Sequence, residues 1–389
     1  MKFPRHDIAY YLDTAGELAE QVAACADEID RDRQLPADLA GEFADKGFFR
    51  LLLPRSLGGA QLDHPDFLRI LEIFANVDGS AAWCINQNNV FSTNSLRMSP
   101  EAAQDIYADL RAVVTNGPPS PSAKAVSCDG GYRLSGRWNF SSGITHATWI
   151  AALAPVVAPG QEPDAVLDRA TARVMLMPKN EVEFVDFWPV HGLRGTASFS
   201  FEVDDVFVPR ARTYSQADAP REDGPLYGIP ITLLFASGFS TVALGIARAS
   251  LATAINLAGS KIPGRATRLL RDEPTTQRLI GEAEGIWHSA KSFLRESASS
   301  VWDTVDLNER LTTEQRIKLR LASTFGIRKA AEVVDIAYSL CGSNAILETN
   351  PVNRQFQDIH VVSQHLQGRA THYETIGQFF LGLEPEGNF

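Results

Sequence analysis

The period of the hydrophobic residues changes twice along this 389-residue chain. Apolar residues recur at helical spacing as far as Leu110, and short alternating runs between Arg111 and Gln216 predict strands. The helical period returns after Pro225 in long patterns, of which the last runs from Val352 to Leu381. This order predicts a mainly α protein with a central β module, divided into a helical domain (1–110), a β domain (111–218) and a four-helix bundle (219–389).

The segment Gly131–Gly143 reads as a β-hairpin that ends in two small hydroxyl side chains. Tyr132 and Leu134 alternate with polar neighbours, and so do Trp138 and Phe140, whereas Ser135-Gly136 supplies turn residues between the two runs. The pattern therefore predicts a strand end, Phe140-Ser141-Ser142-Gly143, that offers hydroxyl groups to a flat aromatic ligand.

Composition and charge narrow the classes of function. The net charge of −11 disfavours a nucleic acid or an anionic membrane as partner, and neither a G-x-G-x-x-G nor a P-loop sequence occurs. The four cysteines are scattered without a CxxC pair, so we expect reduced thiols and no metal site. The first residues lack the apolar core of a secretion signal, from which we expect a cytoplasmic protein.

Several local motifs resemble, in matching order, the acyl-CoA dehydrogenase superfamily. They are Phe48–Pro54 with Gly58-Gly59, Asp78–Trp83, the Gly131–Gly143 segment, His191–Ser198 with Val203–Pro209, and Asn353–His360. The resemblance implies an N-terminal helical domain, a middle β-barrel-like domain and a C-terminal four-helix bundle.

The end of the last motif is similar to one branch of that superfamily. In the commonest dehydrogenases a catalytic Glu lies eight residues beyond the position of Asp358, but that position here is Leu366, which cannot accept a proton. The segment Asp358–His365 instead resembles the flavin-dependent monooxygenases, such as the oxygenase component of p-hydroxyphenylacetate hydroxylase and dibenzothiophene monooxygenase. The resemblance implies reduced flavin, FMN or FAD, delivered by a separate flavin reductase, and O2 as cosubstrate. Oxygenation of a small or medium apolar, aromatic or heterocyclic substrate would pass through a C4a-(hydro)peroxyflavin.

The same resemblance suggests catalytic and cofactor-binding residues. It places Ser141 or Ser142 beside flavin N5, without choosing between them, and puts Trp138 and Phe140 at the cofactor. Asn116 matches a residue that faces flavin and substrate, although it also reads as a strand-ending Asn before Gly117.

His365 matches a histidine over the flavin ring, where an imidazole can donate and accept protons. We expect His360 to lie on another helix face and to support the site indirectly, and His191 to organise a loop.

Trp83 and the amides after it are candidates for the substrate pocket. Aromatic hydroxylases of this branch carry a histidine about eight residues after the matching tryptophan, but the stretch to Phe91 here contains none. Asn88 and Asn89 can form hydrogen bonds there but cannot act as a base. This departure leaves open a thioether, amine, indole or ketone substrate.

Arg265 and Arg268, in the connection after the first bundle helix, are candidates for binding flavin phosphate, or else they belong to a solvated helix end. The resemblance implies that this connection reaches a neighbouring subunit, and hence a homotetramer.

Two other functions remain open from the sequence. One is a flavoprotein dehydrogenase or oxidase of the same fold, with Glu348 as a conceivable base. The other is a scaffold protein without catalytic activity.

Overall fold

Among the described residues, six α-helices form the N-terminal part of the chain. The structure, a computed structural model, describes residues 7–163, 168, 171–186, 188–264, 266–387 and 389. The helices are α1 (Ile8–Ala24), α2 (Ala26–Asp32), α3 (Ala37–Asp45), α4 (His64–Ala75), α5 (Gly79–Ser92) and α6 (Pro100–Tyr107). The start of α5 is fixed by Asp78, whose carboxylate accepts the backbone N–H of Ala81 at 2.8 Å and satisfies a free donor of the first turn. Almost every residue of α5 is buried, so this helix runs through the interior.

Two sheets follow in the middle of the chain. The strands are β1 (Val114–Asn116), β2 (Lys124–Cys128), β3 (Gly131–Trp138), β4 (Trp149–Ala154), β5 (Val156–Val157), β6 (Arg173–Pro178), β7 (Glu183–Val185), β8 (Ser200–Pro209) and β9 (Thr213–Tyr214). One sheet has the order β1-β4-β6-β9 and the other β5-β2-β3-β8-β7. Trp138 and Phe201 stack at 5.1 Å between ring centroids in the core of this region.

The predicted turn at Ser135-Gly136 is wrong. β3 continues through both residues, and its pairing with β8 shifts register between Leu134 and Gly136, which is a β-bulge. Gly136 adopts φ +149°, and a Cβ there would lie 2.9 Å from the Cα of Ala123, so glycine serves the bulge rather than a hairpin turn. The hairpin itself joins β2 to β3.

Where the structure describes the C-terminal part, it contains five α-helices. They are α7 (Ile231–Ala258), α8 (Pro274–Asp306), α9 (Thr313–Cys341), α10 (Pro351–Gln364) and α11 (His372–Phe380). The single pattern predicted from Val352 to Leu381 is therefore two helices. The break lies at His365, whose extended backbone (φ −64°, ψ 149°) ends α10 and turns its side chain away from the helical path.

Helix α7 is the centre of this part and contacts α4, α5, α8, α9 and α10. By length and composition it is apolar enough to cross a membrane, but 78% of its most apolar window is buried inside the protein. Its residues belong to one hydrophobic core with those of α4 and α5. The two helical parts thus share a core, and the end of β3 meets that core at α5.

Candidate active site

The chain reverses direction directly after β3. Phe140 adopts the left-handed conformation (φ 56°), which is uncommon for a residue with a side chain, and its side chain is 56% exposed. The Ser141 N–H donates to the Phe199 carbonyl at 3.0 Å and the Gly143 N–H to the Thr196 carbonyl at 2.7 Å. These bonds hold Phe140 outward while both serine side chains are buried.

The two serines have different surroundings. Ser142 Oγ accepts the indole N–H of Trp83 at 3.0 Å and lies 2.7 Å from Ser198 Oγ. Ser141 Oγ is buried and has no hydrogen-bond partner among the described residues. A Cβ added at Gly117 would come within 3.1 Å of Ser141 Oγ, so glycine leaves the hydroxyl its space. Ser142 is therefore the serine that faces Trp83.

A line of hydroxyl groups leads from Ser142 into the protein. Ser198 Oγ lies 2.7 Å from Thr196 Oγ1, and Thr196 Oγ1 donates to the Leu193 carbonyl at 2.8 Å. We call Ser142, Ser198, Thr196 and the Leu193 carbonyl the hydroxyl row. From the sequence we named His191–Ser198 as a motif but did not predict the row. The sequence signal for it is the alternation of Thr196, Ser198 and Ser200.

Asp358 fixes the inner end of the hydroxyl row. Its Oδ1 accepts the Leu193 N–H at 2.5 Å, and Leu193 itself adopts a left-handed conformation (φ 49°). Burial, and then the nearby Asp78 carboxylate, raise the pKa of Asp358 to about 7. A carboxylate from α10 thus fixes the backbone of Leu193, and the Leu193 carbonyl accepts the hydrogen bond at the inner end of the hydroxyl row.

Trp83 also joins a group of rings that we call the aromatic box, formed by Trp83, Phe235, Phe239 and His365. Trp83 stacks on Phe239 with centroids 3.9 Å apart, and the His365 ring meets the two at 5.0 and 4.7 Å, edge-on. Phe235 stacks on Phe239 at 5.9 Å. The predicted residues Trp83, Ser142 and His365 are therefore brought together, from α5, the end of β3 and the end of α10.

His365 is neutral at physiological pH. Burial, with the Arg369 charge, lowers the pKa of its imidazole to about 4. Its Nδ1 accepts the Gln367 N–H at 3.4 Å, which leaves the proton of the neutral ring on Nε2. His365 therefore offers an N–H donor. Leu366, at the position of the dehydrogenase Glu, is 44% exposed.

Amide side chains form the wall between α5 and β1. Gln87 Nε2 donates to Asn116 Oδ1 at 3.0 Å, and Asn116 Nδ2 donates to the Gly117 carbonyl at 3.0 Å. Asn88 donates to the Val114 carbonyl at 3.3 Å, and its Oδ1 lies 3.0 Å from Nε2 of His146. Asn116 and Asn88 thus occupy adjacent parts of one wall.

The sequence reasoning missed His146. Its ring stacks on Phe49 at 4.8 Å, and burial, with the Lys179 charge, lowers its pKa to about 3. Its Nδ1 is buried without a partner among the described residues. The signal was a histidine three residues after Gly143, inside the tight turn that follows the serine pair.

Other predicted residues lie elsewhere. Asn89 is fully buried and its amide is used by four backbone groups, those of Leu51, Leu52, Phe48 and Ile85. Trp138 belongs to the core of the sheets, where its N–H donates to the Leu153 carbonyl at 3.0 Å. Neither side chain has a polar atom left for a ligand.

The candidate phosphate ligands divide into two cases. Arg265 lies outside the described residues. Arg268 is exposed and forms a paired salt bridge with Glu273 at 2.7 and 3.0 Å.

The remaining predicted polar residues lie apart from the aromatic box. His360 pairs with Asp335 at 3.0 Å on an exposed face of α10, and His191 and Glu348 are exposed. Within the described ranges, no group of three or more His, Cys, Asp or Glu could hold a metal ion. The four cysteines are free thiols.

Comparison with known proteins identifies the family. Residues 10–108 match the acyl-CoA dehydrogenase N-terminal domain and residues 237–369 the acyl-CoA dehydrogenase C-terminal domain. The chain is 30% identical over 366 residues to an indole-3-acetate monooxygenase of Pseudomonas putida, covering 92% of this chain and 90% of that protein. It is 29% identical to the FADH(2)-dependent resorcinol hydroxylase, oxygenase component, of Rhizobium sp., covering 96% and 94% of the two chains.

Solved structures agree with this relationship. The crystal structure of 3-HSA hydroxylase from Rhodococcus sp. RHA1 superimposes with a TM-score of 0.86 at 25% identity, over 98% of each chain. The HsaA monooxygenase from M. tuberculosis gives a TM-score of 0.85 at 25% identity, over 98% of this chain and 99% of that one. The predicted superfamily and branch are thereby confirmed: the chain belongs to the acyl-CoA dehydrogenase family, among its flavin-dependent monooxygenases.

Proposed function

We propose that this chain is the oxygenase component of a two-component monooxygenase, which receives reduced flavin from a separate reductase and inserts one oxygen atom of O2 into an aromatic or heterocyclic substrate. Reduced flavin, when bound, supplies the two electrons that activate O2. The observation that carries the proposal is the meeting of Ser142, Trp83 and His365, in which one indole ring contacts both a hydroxyl oxygen and an imidazole ring.

The surroundings of β3 fit the ring system of a flavin. Phe140 presents an exposed aromatic face, while Ser141 Oγ, buried and without a described partner, and Ser142 Oγ provide polar atoms beside it. The flavin ring system has an apolar benzenoid edge and a polar edge, so its site requires an apolar side chain next to hydrogen-bonding groups. We propose that Phe140 contacts the apolar edge and that Ser142 binds N5. Arg265 and Arg268, from this subunit or a neighbour, remain our candidates for the flavin phosphate.

The aromatic box would exclude water and position the substrate. Water accelerates the loss of activated oxygen as peroxide, and the rings of Trp83, Phe235 and Phe239 offer few polar groups to water. The neutral His365 would donate a hydrogen bond from Nε2 to oxygen on the flavin or on the substrate, and this bond would stabilise negative charge that develops on that oxygen during the transfer.

The amide wall bears on the substrate class. The relatives include proteins named for indole-3-acetate and for resorcinol. Asn116, Gln87 and Asn88 form hydrogen bonds without ionising, and the only histidine on this wall, within the described ranges, is His146 with a pKa near 3. Such a wall suits a substrate that requires no deprotonation, and we favour an indole or a related heterocycle over a phenol.

We also propose a homotetramer in the cytoplasm, where a reductase can supply reduced flavin. Exposed apolar side chains lie at the end of α11 and just beyond it, namely Phe380, Leu381 and Leu383, and they would be covered by a neighbouring subunit. We keep the domain limits at 1–110, 111–218 and 219–389, the middle domain as barrel-like and the last as a four-helix bundle built mainly of α7 to α10. Light scattering on a size-exclusion column tests the subunit number, and limited proteolysis tests the domain limits.

The direct test of function is turnover under ¹⁸O2. The chain is mixed with a flavin reductase, NADH, FMN or FAD, and indole as the first substrate, followed by aromatic thioethers and phenols. We expect product that carries one ¹⁸O atom per molecule and depends on both proteins. Substrate oxidation without ¹⁸O incorporation would point to a dehydrogenase or oxidase instead.

A further inference from the structure

The inner end of the hydroxyl row favours one hydrogen-bond direction. Each hydroxyl has a single proton, and the Leu193 carbonyl at the inner end can only accept, so the Thr196 proton points to it. Thr196 Oγ1 then accepts from Ser198, and Ser198 Oγ accepts from Ser142. The direction of every bond in the row is thus set by a carbonyl at its end.

On the side that faces Trp83, Ser142 Oγ can therefore only accept hydrogen bonds. Its proton is used by Ser198, and one of its lone pairs receives the Trp83 N–H at 3.0 Å. The second lone pair is left for one further donor. Ser142 can therefore accept a hydrogen bond from a ligand, but it cannot donate one while the row is intact.

The row is also costly to reverse. Ser142, Ser198 and Thr196 are all buried, so no solvent replaces a lost partner. The backbone of Leu193, and with it the carbonyl, is held in place because the N–H of Leu193 donates to the Asp358 carboxylate. Turning the row around would leave Thr196 Oγ1 and the Leu193 carbonyl oxygen 2.8 Å apart with no proton between them, and the carbonyl would keep only the Thr196 backbone N–H at 3.2 Å. The loss of that hydrogen bond disfavours the reversed row by about tenfold.

Flavin N5 changes its hydrogen-bonding character with oxidation state. In reduced flavin N5 carries a hydrogen and donates, whereas in oxidised flavin N5 has a lone pair and accepts. We propose that Ser198 and Thr196 are positioning residues that make Ser142 a pure acceptor, so that the site binds reduced flavin in preference to oxidised flavin. This inference rests on the proposed function, in which Ser142 meets N5.

The test compares the dissociation constants of oxidised and reduced FMN and FAD, the latter measured anaerobically, in wild type and in variants. Ser198→Ala frees the Ser142 proton to rotate toward the ligand. Thr196→Val keeps the shape of the side chain and lets Ser198 turn and donate to Ser142. For both we expect the ratio of the oxidised to the reduced dissociation constant to fall about tenfold. Thr196→Ser retains the hydroxyl and should restore the ratio.

Matched variants separate orientation from simple damage to the fold. Ser250→Ala removes another buried hydroxyl, which donates to the Ile246 carbonyl in α7, and should leave the ratio unchanged. A fall in the ratio for Ser198→Ala and Thr196→Val, with recovery in Thr196→Ser, supports the inference. Equal weakening of both oxidation states, or an unchanged ratio, overturns it while leaving the oxygenase function intact. Failure of the wild type to bind reduced flavin would instead overturn the proposed function on which it rests.

Discussion

The indole N–H of Trp83 donates to Ser142 Oγ at 3.0 Å, and the same indole stacks on Phe239 at 3.9 Å between centroids. One side chain of α5 therefore connects the hydroxyl row with the aromatic box. In our account the row binds flavin and the box holds the substrate, so Trp83 lies between the two reactants.

His365→Ala should reduce product formation far more than flavin binding. The variant removes the Nε2–H hydrogen-bond donor, and the loss of one such donor to developing negative charge lowers rates by about 100-fold or more. The dissociation constant for reduced flavin should change by less than about threefold, because a single hydrogen bond contributes little net binding energy. Product per flavin oxidised, and anaerobic titration, measure the two effects.

His360→Ala is the control for that experiment. His360 lies in α10, five residues before His365, but it is partly exposed and bonded to Asp335, so we expect normal product yield. Full coupling in His365→Ala would remove this histidine from the mechanism.

The two serines should respond differently to replacement by alanine. Ser142→Ala deprives the Trp83 N–H of its acceptor and removes the N5 contact, so binding of reduced flavin should weaken by about tenfold. Ser141→Ala removes a buried hydroxyl that has no described partner, and its stability should be equal to or above that of wild type. Flavin titration and urea denaturation measure both. A larger loss of reduced-flavin affinity in Ser141→Ala would assign N5 to the other serine.

Much of this arrangement follows from patterns of residues, but the decisive contacts do not. The alternation in β3 and the helical periods locate the strand end and the long helices, because burial of one face dictates the period. β-Bulges and tight turns both favour glycine and small polar residues, so the pair Ser135-Gly136 fits either structure. The break at His365 arises from tertiary packing against Trp83 and Phe239, which no local pattern records.

Tertiary packing also decides which of Ser141 and Ser142 faces Trp83, and the sequence alone does not distinguish them. Adjacent residues at a strand end differ only in which neighbours they meet, and those neighbours come from α5 and from the segment just before β8. Asn89 shows the converse: an amide beside Trp83 resembled a ligand contact, yet it is used by backbone groups of its own helix and of the Phe48–Leu52 segment.

The buried His64 should make the protein less stable at acid pH. Burial lowers its pKa from 6.5 to about 4, and its Nε2 is bonded to Ser237 Oγ at 2.9 Å. Because the folded pKa is depressed, this contribution to stability is complete above pH 6.5 and is lost as the pH falls toward 4. The full effect is about 3 kcal/mol.

Urea denaturation between pH 8 and pH 4.5 measures this dependence. The free energy of unfolding of His64→Gln should fall less steeply over this range than that of wild type, whatever its absolute stability. An identical slope in the two proteins would contradict the assignment.

Asp358 should show the opposite dependence. Its folded pKa, about 7, lies above that of an unfolded aspartate, so its contribution is present at low pH and is lost as the pH rises through 7. Asp358→Asn keeps an oxygen that accepts the Leu193 N–H and removes a charge from beside Asp78. The variant should therefore match or exceed wild type at pH 8, by on the order of 2 kcal/mol. The quantity to compare is the free energy of unfolding of wild type minus that of the variant. A larger value of this difference at pH 8 than at pH 6 would refute the assignment.

The most direct test of the account is the reaction of the reduced-flavin complex with O2. The chain is loaded anaerobically with dithionite-reduced FMN or FAD, mixed rapidly with oxygenated buffer, and followed by absorbance. If the aromatic box excludes water and Ser142 holds N5–H, oxidised flavin should appear only after a lag that is absent for free flavin, and Ser142→Ala should shorten the lag. Immediate reoxidation, in a protein that already holds oxidised FAD tightly, would contradict the account and indicate a dehydrogenase or oxidase.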